Sequence, residues 1–373
     1  MKDRQERTVP LRDSPVADFG LRVVAIGGGT GLSTLLKGLK RYCAPPGERS
    51  APSSPPSAKS TEHLISELCA VVTVTDDGGS SGRLRKELNM LPPGDIRNCI
   101  VALSEDEALL SRLFQHRFER GSGLEGHSFG NLFLAALTSI TKDFSEAVRL
   151  SSEILVTRGH IYPSTTSNVE LEALLEDGTR VSGETNITAS KGKIHELFLV
   201  PSEAEPIPQT LEAIARADLI TVGPGSLFTS LVPNFLVKGI TRAILDSSAL
   251  KVYVCNLMTQ ANESLGLSAA DHIRALNRHA QAKRIFDYAI INRTPVSQAM
   301  KAKYALEGAS QIVADLEAIE DLGICPVLGD YLEEDGVARH ATARVARDLL
   351  ALVIETRAGQ KPATKSPDVA KVP

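Results

Sequence analysis

The sequence predicts an α/β fold with a mostly parallel sheet, on three observations. Short β-branched runs, LRVVAI (21–26), LCAVVTVT (68–75) and ADLITVG (217–223), each stop at a glycine-rich or acidic loop. Helical apolar spacing fills the intervals between them. The alternation itself brings strands together in parallel through right-handed crossovers, with helices on both faces, which is a three-layer α/β/α arrangement.

Taken in order, the first run is a strand that stops at GGGTG, and LSTLLKGLKRY (32–42) continues as a helix. The second run is a buried strand ending at DDGGSSG, and the third ends at GPGS. Helices are expected over 96–118, 129–140, 144–155 and 208–217. RAILD (242–246), KVYVCN (251–256) and DYAIIN (287–292) are expected to extend the sheet. The stretch 156–200 has hairpin-like alternation and turn signals, which predict a small β-rich lobe. One domain is expected over 21–356. The Pro- and Ser-rich stretch 44–61 reads as an insertion, and 1–20 and 357–373 as disordered tails, because none of the three offsets its ordering entropy with apolar surface.

Composition excludes several classes of function. With 42% hydrophobic and 23% charged residues among 373, the chain can bury a sizeable core. A formal net charge of -4 provides no field for a polyanionic backbone, so no nucleic-acid partner is expected. No apolar run approaches the roughly 18 residues that span a bilayer, and the N-terminus lacks the apolar region of a signal peptide. A cytoplasmic protein without membrane contact is expected. The five cysteines are far apart and form no C-x-x-C pair, which argues against a zinc knuckle and a disulfide framework.

Five loops could carry chemistry. Gly27, Gly28, Gly29, Thr30 and Gly31 follow a strand and open a helix, where backbone N–H groups and the helix dipole attract phosphate; a tight strand–helix turn has the same composition. The dinucleotide fingerprint is broken at Leu32 and no Walker lysine follows Gly31, which disfavours an NAD(P)-dependent oxidoreductase. Asp76 and Asp77 follow the second strand, where carboxylates hold ribose hydroxyls, bind a hard cation such as Mg²⁺, or form a plain turn. Asp95 is placed to cap the helix that follows PPG, and Arg97, set against that helix dipole, needs a partner such as Asp77 or a phosphate. Asn98 lies in the same first turn. In GHSFGN, Ser128 is an N-cap, while His127 and Asn131 read as polar contacts to a ligand or another loop. Gly223, Gly225 and Ser226 repeat the physics of the first loop. In open α/β sheets ligands bind outside the carboxyl ends of the strands, where all five segments would converge.

The segments GGGTG, TDDGGSSGRLR (75–85), LPPGDIRN (91–98), GHSFGN (126–131), PSTTSNV (163–169), GPGSLFTS (223–230) and NLMTQANES (256–264) resemble, in order and spacing, the bacterial YvcK/CofD-like family. The resemblance covers about 22–345 without the insertion. It implies a CofD-like, Rossmann-type fold and kinship with 2-phospho-L-lactate transferases, which use Mg²⁺. It also implies that the YvcK branch, named for gluconeogenesis, binds UDP-sugars such as UDP-N-acetylglucosamine and serves cell shape and peptidoglycan synthesis during gluconeogenic growth. On that branch no catalytic residue and no resident cofactor is implied. The expected function is a UDP-sugar-responsive regulator with a protein partner, and the alternative is a transferase with Mg²⁺ on Asp76 and Asp77. The resemblance places the five loops' residues in one ligand cleft and adds Arg339. This chain has Ala261–Asn262 where the family tends to have Pro-Gly, so no ligand role is assigned to 256–264. A homodimer is the default assembly.

Overall fold

The computed structural model describes residues 20–45, 63–105 and 109–359. Residues 1–19, 46–62, 106–108 and 360–373 lie outside the described residues, and with them nearly all of the two expected tails and of the expected insertion.

Seven parallel strands form the central sheet in the order β10-β9-β8-β7-β1-β2-β3. They are β1 (Leu21–Gly27), β2 (Ile65–Val72), β3 (His160–Pro163), β7 (Leu219–Val222), β8 (Leu250–Val254), β9 (Tyr288–Asn292) and β10 (Cys325–Gly329). Strands β4 (Glu170–Leu175), β5 (Arg180–Ser182) and β6 (Ile194–Val200) form an antiparallel sheet in the order β5-β4-β6, and β11 (Leu332–Glu334) pairs with β12 (Ala338–His340) as a short hairpin. The fold is therefore the expected three-layer α/β/α sandwich with a small β-rich lobe. Strand β3 is the exception within 156–200, because it joins the main sheet beside β2.

Both faces of a parallel sheet are covered by helices, so its strands are apolar throughout rather than alternating. Val23, Val24, Ala25 and Ile26 are at most 2% exposed. Burying each such Val or Ile contributes about 1.5–3 kcal/mol. Strand β2 starts and ends three residues earlier than expected. Val72 is already opposite Gly27, the last residue of β1, so Thr73–Thr75 have no strand to pair with.

The first helices are α1 (Gly29–Lys40), α2 (Gly79–Leu88), α3 (Gly94–Leu103), α4 (Leu109–Gln115), α5 (Phe129–Thr141), α6 (Phe144–Ile154) and α7 (Glu184–Ala189). The pattern at 96–118 is thus two helices. Ser104 ends the first, its N–H bonded to Ile100 O and its hydroxyl to Leu155 O. The segment 242–246 is not a strand but part of the helix Ile240–Asp246, which buries Ile240 and Ile244 on one face. The chain's last described helix, Thr342–Arg357, runs one residue into the expected tail, and Arg357 forms an ion pair with Asp218.

The chain leaves β1 towards β2 and β3, then returns to β7 on the other side of β1. The loops after β1 and β7 meet side by side at the carboxyl edge, the place where open α/β sheets of this kind hold their ligands. Among the described residues no helix is long and apolar enough to cross a membrane, and all five cysteines are free thiols.

Candidate functional site

A cleft of about 530 Å³ lies at this edge. Its walls include Gly28–Gly31 and Lys37 of α1, Asn98 of α3, Gly225 and Ser226 after β7, Asn256–Gln260 after β8, and Arg339 and His340 of β12. Among the described residues no Asp or Glu lines it, whereas Lys37 and Arg339 do. The first, third and fifth sequence loops thus converge, joined by Arg339. Gly27 and Gly223 stand just behind the wall as sheet-end residues. Gly27 O accepts from Thr73 N at 2.9 Å, and Gly223 N donates to Ile26 O at 3.1 Å.

The first loop is held by an internal anion. Gly29 N donates to Asp95 Oδ2 at 2.7 Å, so Asp95 bonds the amino end of α1 rather than capping its own helix, as the sequence had suggested. Asp95 sits in the first turn of α3, behind an N-cap, Pro93, with no side-chain cap. There it gains from its own helix dipole while its oxygen is free to reach the neighbouring helix end. Burial and the nearby Asp76 push its carboxyl up to about 6. The N–H groups of Thr30 and Gly31 have no partner among the described residues and remain for a ligand. Gly31 is required by close approach, since a Cβ there would lie 2.3 Å from Pro224 O.

The fifth loop is stitched to the segment 256–264, for which the sequence assigns no ligand role. Gly225 N donates to Asn256 Oδ1 at 3.0 Å and Asn256 Nδ2 returns a bond to Gly225 O at 2.7 Å. Gln260 Nε2 donates to Ser226 Oγ at 2.8 Å. Glu263 Oε1 accepts from Phe228 N and Thr229 N at 2.7 and 2.8 Å, at the start of the π-helical turn Leu227–Leu231. Both helix openings thus carry a carboxylate on their protein side, while the cleft side offers donors. Sequence reasoning missed Lys37, Asn256, Gln260, Glu263 and His340. The available signal for Asn256 was its place just past β8, the strand beside β7.

Asp76, Asp77, His127 and Asn131 do not line this cleft. Asp77 Oδ1 accepts from Thr185 N at 2.8 Å and Thr185 Oγ1 at 2.6 Å, so it caps α7 and latches the β-rich lobe. Asp76 accepts from Gly78 N at 2.9 Å. His127 Nδ1 and Asn131 Nδ2 both meet Ser80 Oγ, at 2.9 and 3.1 Å, in a network with each residue at most 4% exposed. Arg97 does not pair with Asp77. Its partners are Ser128 Oγ at 2.6 Å and Asn98 Oδ1 at 2.8 Å.

Beside this network Glu184 of α7 has its carboxyl pushed up to about 9, first by burial and then by Asp76, Asp95, Asp77 and Glu263. A raised carboxyl makes the folded state hold a proton that the unfolded chain releases, so stability falls as pH rises from about 4.5 to about 9. Glu184→Gln removes that loss. Its melting temperature should exceed that of the wild type by about 3 °C or more at pH 8.5, and the gap should close near pH 4.5 in thermal scans. A gap independent of pH would sink this account.

The comparisons with known proteins agree with this architecture. The sequence model described as "2-phospho-L-lactate transferase CofD" matches residues 23–332. A protein named "Gluconeogenesis factor" from Halalkalibacterium halodurans is 47% identical over 330 residues, covering 88% of this chain and 95% of the relative. Another of that name from Bacillus subtilis is 44% identical over 336 residues, covering 90% and 98%. A crystal structure of a UPF0052 family member from Bacillus halodurans superposes with a TM-score of 0.80 at 45% identity, covering 89% of this chain and 99% of that one. With that span and identity, the chain belongs to the CofD family, among the relatives named gluconeogenesis factor.

Proposed function

We propose that the protein is a sugar-nucleotide-binding regulator. It takes a UDP-sugar such as UDP-N-acetylglucosamine in the cleft and signals its state to a protein partner in the bacterial cytoplasm. Its output is cell shape and peptidoglycan synthesis during growth on gluconeogenic carbon. The observation that carries the reading is the lining of the cleft. Thr30 and Gly31, whose N–H groups have no partner among the described residues, line a space of about 530 Å³ together with Ser, Thr, Asn and Gln residues, Lys37 and Arg339, and among the described residues no Asp or Glu lines it. Such a lining favours an anion, and the volume is that of an ordinary small-molecule site.

Kinship with the transferases supports a second reading, in which the same cleft holds a nucleotide-activated substrate. On that reading Mg²⁺ would be expected on Asp76 and Asp77, through their Oδ2 atoms. Asp77 Oδ1 is held by Thr185 and Asp76 Oδ1 by Gly78 N, and no group of three or more His, Cys, Asp or Glu among the described residues is arranged to hold a metal ion.

Calorimetric titration with UDP-N-acetylglucosamine, GDP and NADP⁺, with and without Mg²⁺, tests the choice. Micromolar binding of the UDP-sugar alone, unchanged by Mg²⁺, is the expected result. Mg²⁺-dependent preference for GDP would replace the regulator with the transferase.

A further inference from the structure

Arg97 has no carboxylate within ion-pair distance among the described residues; Asp95 and Asp76 act on it only from farther away, its Nε is buried without a partner, and its two bonded neighbours are neutral. A desolvated guanidinium in such a setting is costly unless its bonds do something specific. One of those bonds fixes the polarity of an amide in the cleft wall. Nη2 donates to Asn98 Oδ1 at 2.8 Å, and Arg can only donate. The amide oxygen is therefore turned inward, and Asn98 Nδ2, which has no partner among the described residues, is the end left for the cleft.

The other bond keeps the guanidinium in place. Nη1 donates to Ser128 Oγ at 2.6 Å, and Ser128 is at the same time the N-cap of α5, accepting from Asn131 N at 3.2 Å. Arg97 thereby bridges α3 and α5. Gly130 makes room for its stem, since a Cβ there would lie 2.8 Å from Arg97 Cδ.

We infer that Arg97 is a positioning residue that locks Asn98 as a hydrogen-bond donor to an oxyanion of the ligand, a phosphate oxygen of a nucleotide. The inference rests on the reading of the cleft as an anion site. It makes Asn98 the third element of a donor set with the Thr30 and Gly31 N–H groups, all three residues lining the cleft. An aspartate at 98 has the same shape but reverses the chemistry: one oxygen pairs with Arg97 and the other presents negative charge to the ligand.

The test is calorimetric titration of the full chain with inorganic pyrophosphate and with UDP-N-acetylglucosamine, alongside thermal melting. Asn98→Asp should weaken both ligands by about 30-fold or more while melting at or above the wild type, because it gives the buried guanidinium an ion partner. Asn98→Ala should weaken both by about tenfold. In an Arg97→Met background, adding Asn98→Ala should cost little more, since an unlocked amide no longer presents a fixed donor. Should Arg97→Met not fold, Arg97→Lys takes its place in the cycle, because one ammonium cannot hold both Ser128 and Asn98 in the forked geometry. A purely structural arginine would lower the melting temperature and leave the Asn98→Ala penalty intact. Asn98→Asp binding pyrophosphate within about twofold of wild type would overturn the inference. If the wild type binds pyrophosphate but not the UDP-sugar, the nucleotide-sugar reading falls and the Asn98 result still decides this one; if it binds neither, both fall.

Discussion

Gly31→Ala is expected to unfold more readily than the wild type and to lose at least about tenfold in ligand affinity. On an ordinary helix the same change stabilises by about 1 kcal/mol, because alanine is the better helix former. Here the sign reverses. The new Cβ would lie 2.3 Å from Pro224 O, 2.7 Å from Pro224 C and 2.9 Å from Gly225 N, all backbone atoms of the loop after β7. That loop cannot retreat, because Gly225 is bonded at both its N–H and its C=O by Asn256. Overpacking of this kind costs about 1–3 kcal/mol, and it pushes apart the two loops that form facing walls of the cleft. Urea unfolding and calorimetry on one preparation check both effects. A Gly31→Ala protein as stable as wild type would show that the loops do not meet as described.

Glu263→Ala should be the most damaging single change in the segment after β8. Its carboxylate is the acceptor for two backbone N–H groups at a buried helix opening. Removing it leaves both without a partner, at about 1–3 kcal/mol each, so a loss of about 2–6 kcal/mol is expected in urea unfolding. Binding should weaken as well, because Ser226 and Gln260 line the cleft on the same stitched wall. Glu263→Gln keeps one acceptor oxygen and the shape. Its remaining amide oxygen can still accept from Phe228 N and Thr229 N, so this variant should keep most of both properties. Equal damage from the two substitutions would contradict the capping role.

The three strand-end loops were legible because a run of β-branched residues stopping at glycine has few other uses in an α/β chain. The partners of those loops were not. Asp95 looked like a local cap because sequence spacing reports only its own helix, whereas its bond to Gly29 spans 66 positions. Glu263 was hidden for the same reason, acting 34 and 35 positions away inside a segment set aside for its Ala261–Asn262. Asp76 and Asp77 read as one acidic pair, yet adjacent side chains diverge in a loop, and Asp77 went to the lobe while Asp76 stayed near Asp95. RAILD failed for want of window length. Its helical period shows only when Ile240 is included with Ile244.

The order of the strands also bears on how the protein is made. Central strand β1 pairs on one side with β2, but on the other with β7, where Val23 meets Leu219. Ribosomes add about 5–20 residues per second, so the second partner follows β1 by roughly 10–40 s. Through that interval Val23, Val24 and Ile26 present an unpaired, apolar strand edge to the cell. A nascent chain of this design is a natural client for chaperones that shield such edges, and one prone to mispairing when they are scarce.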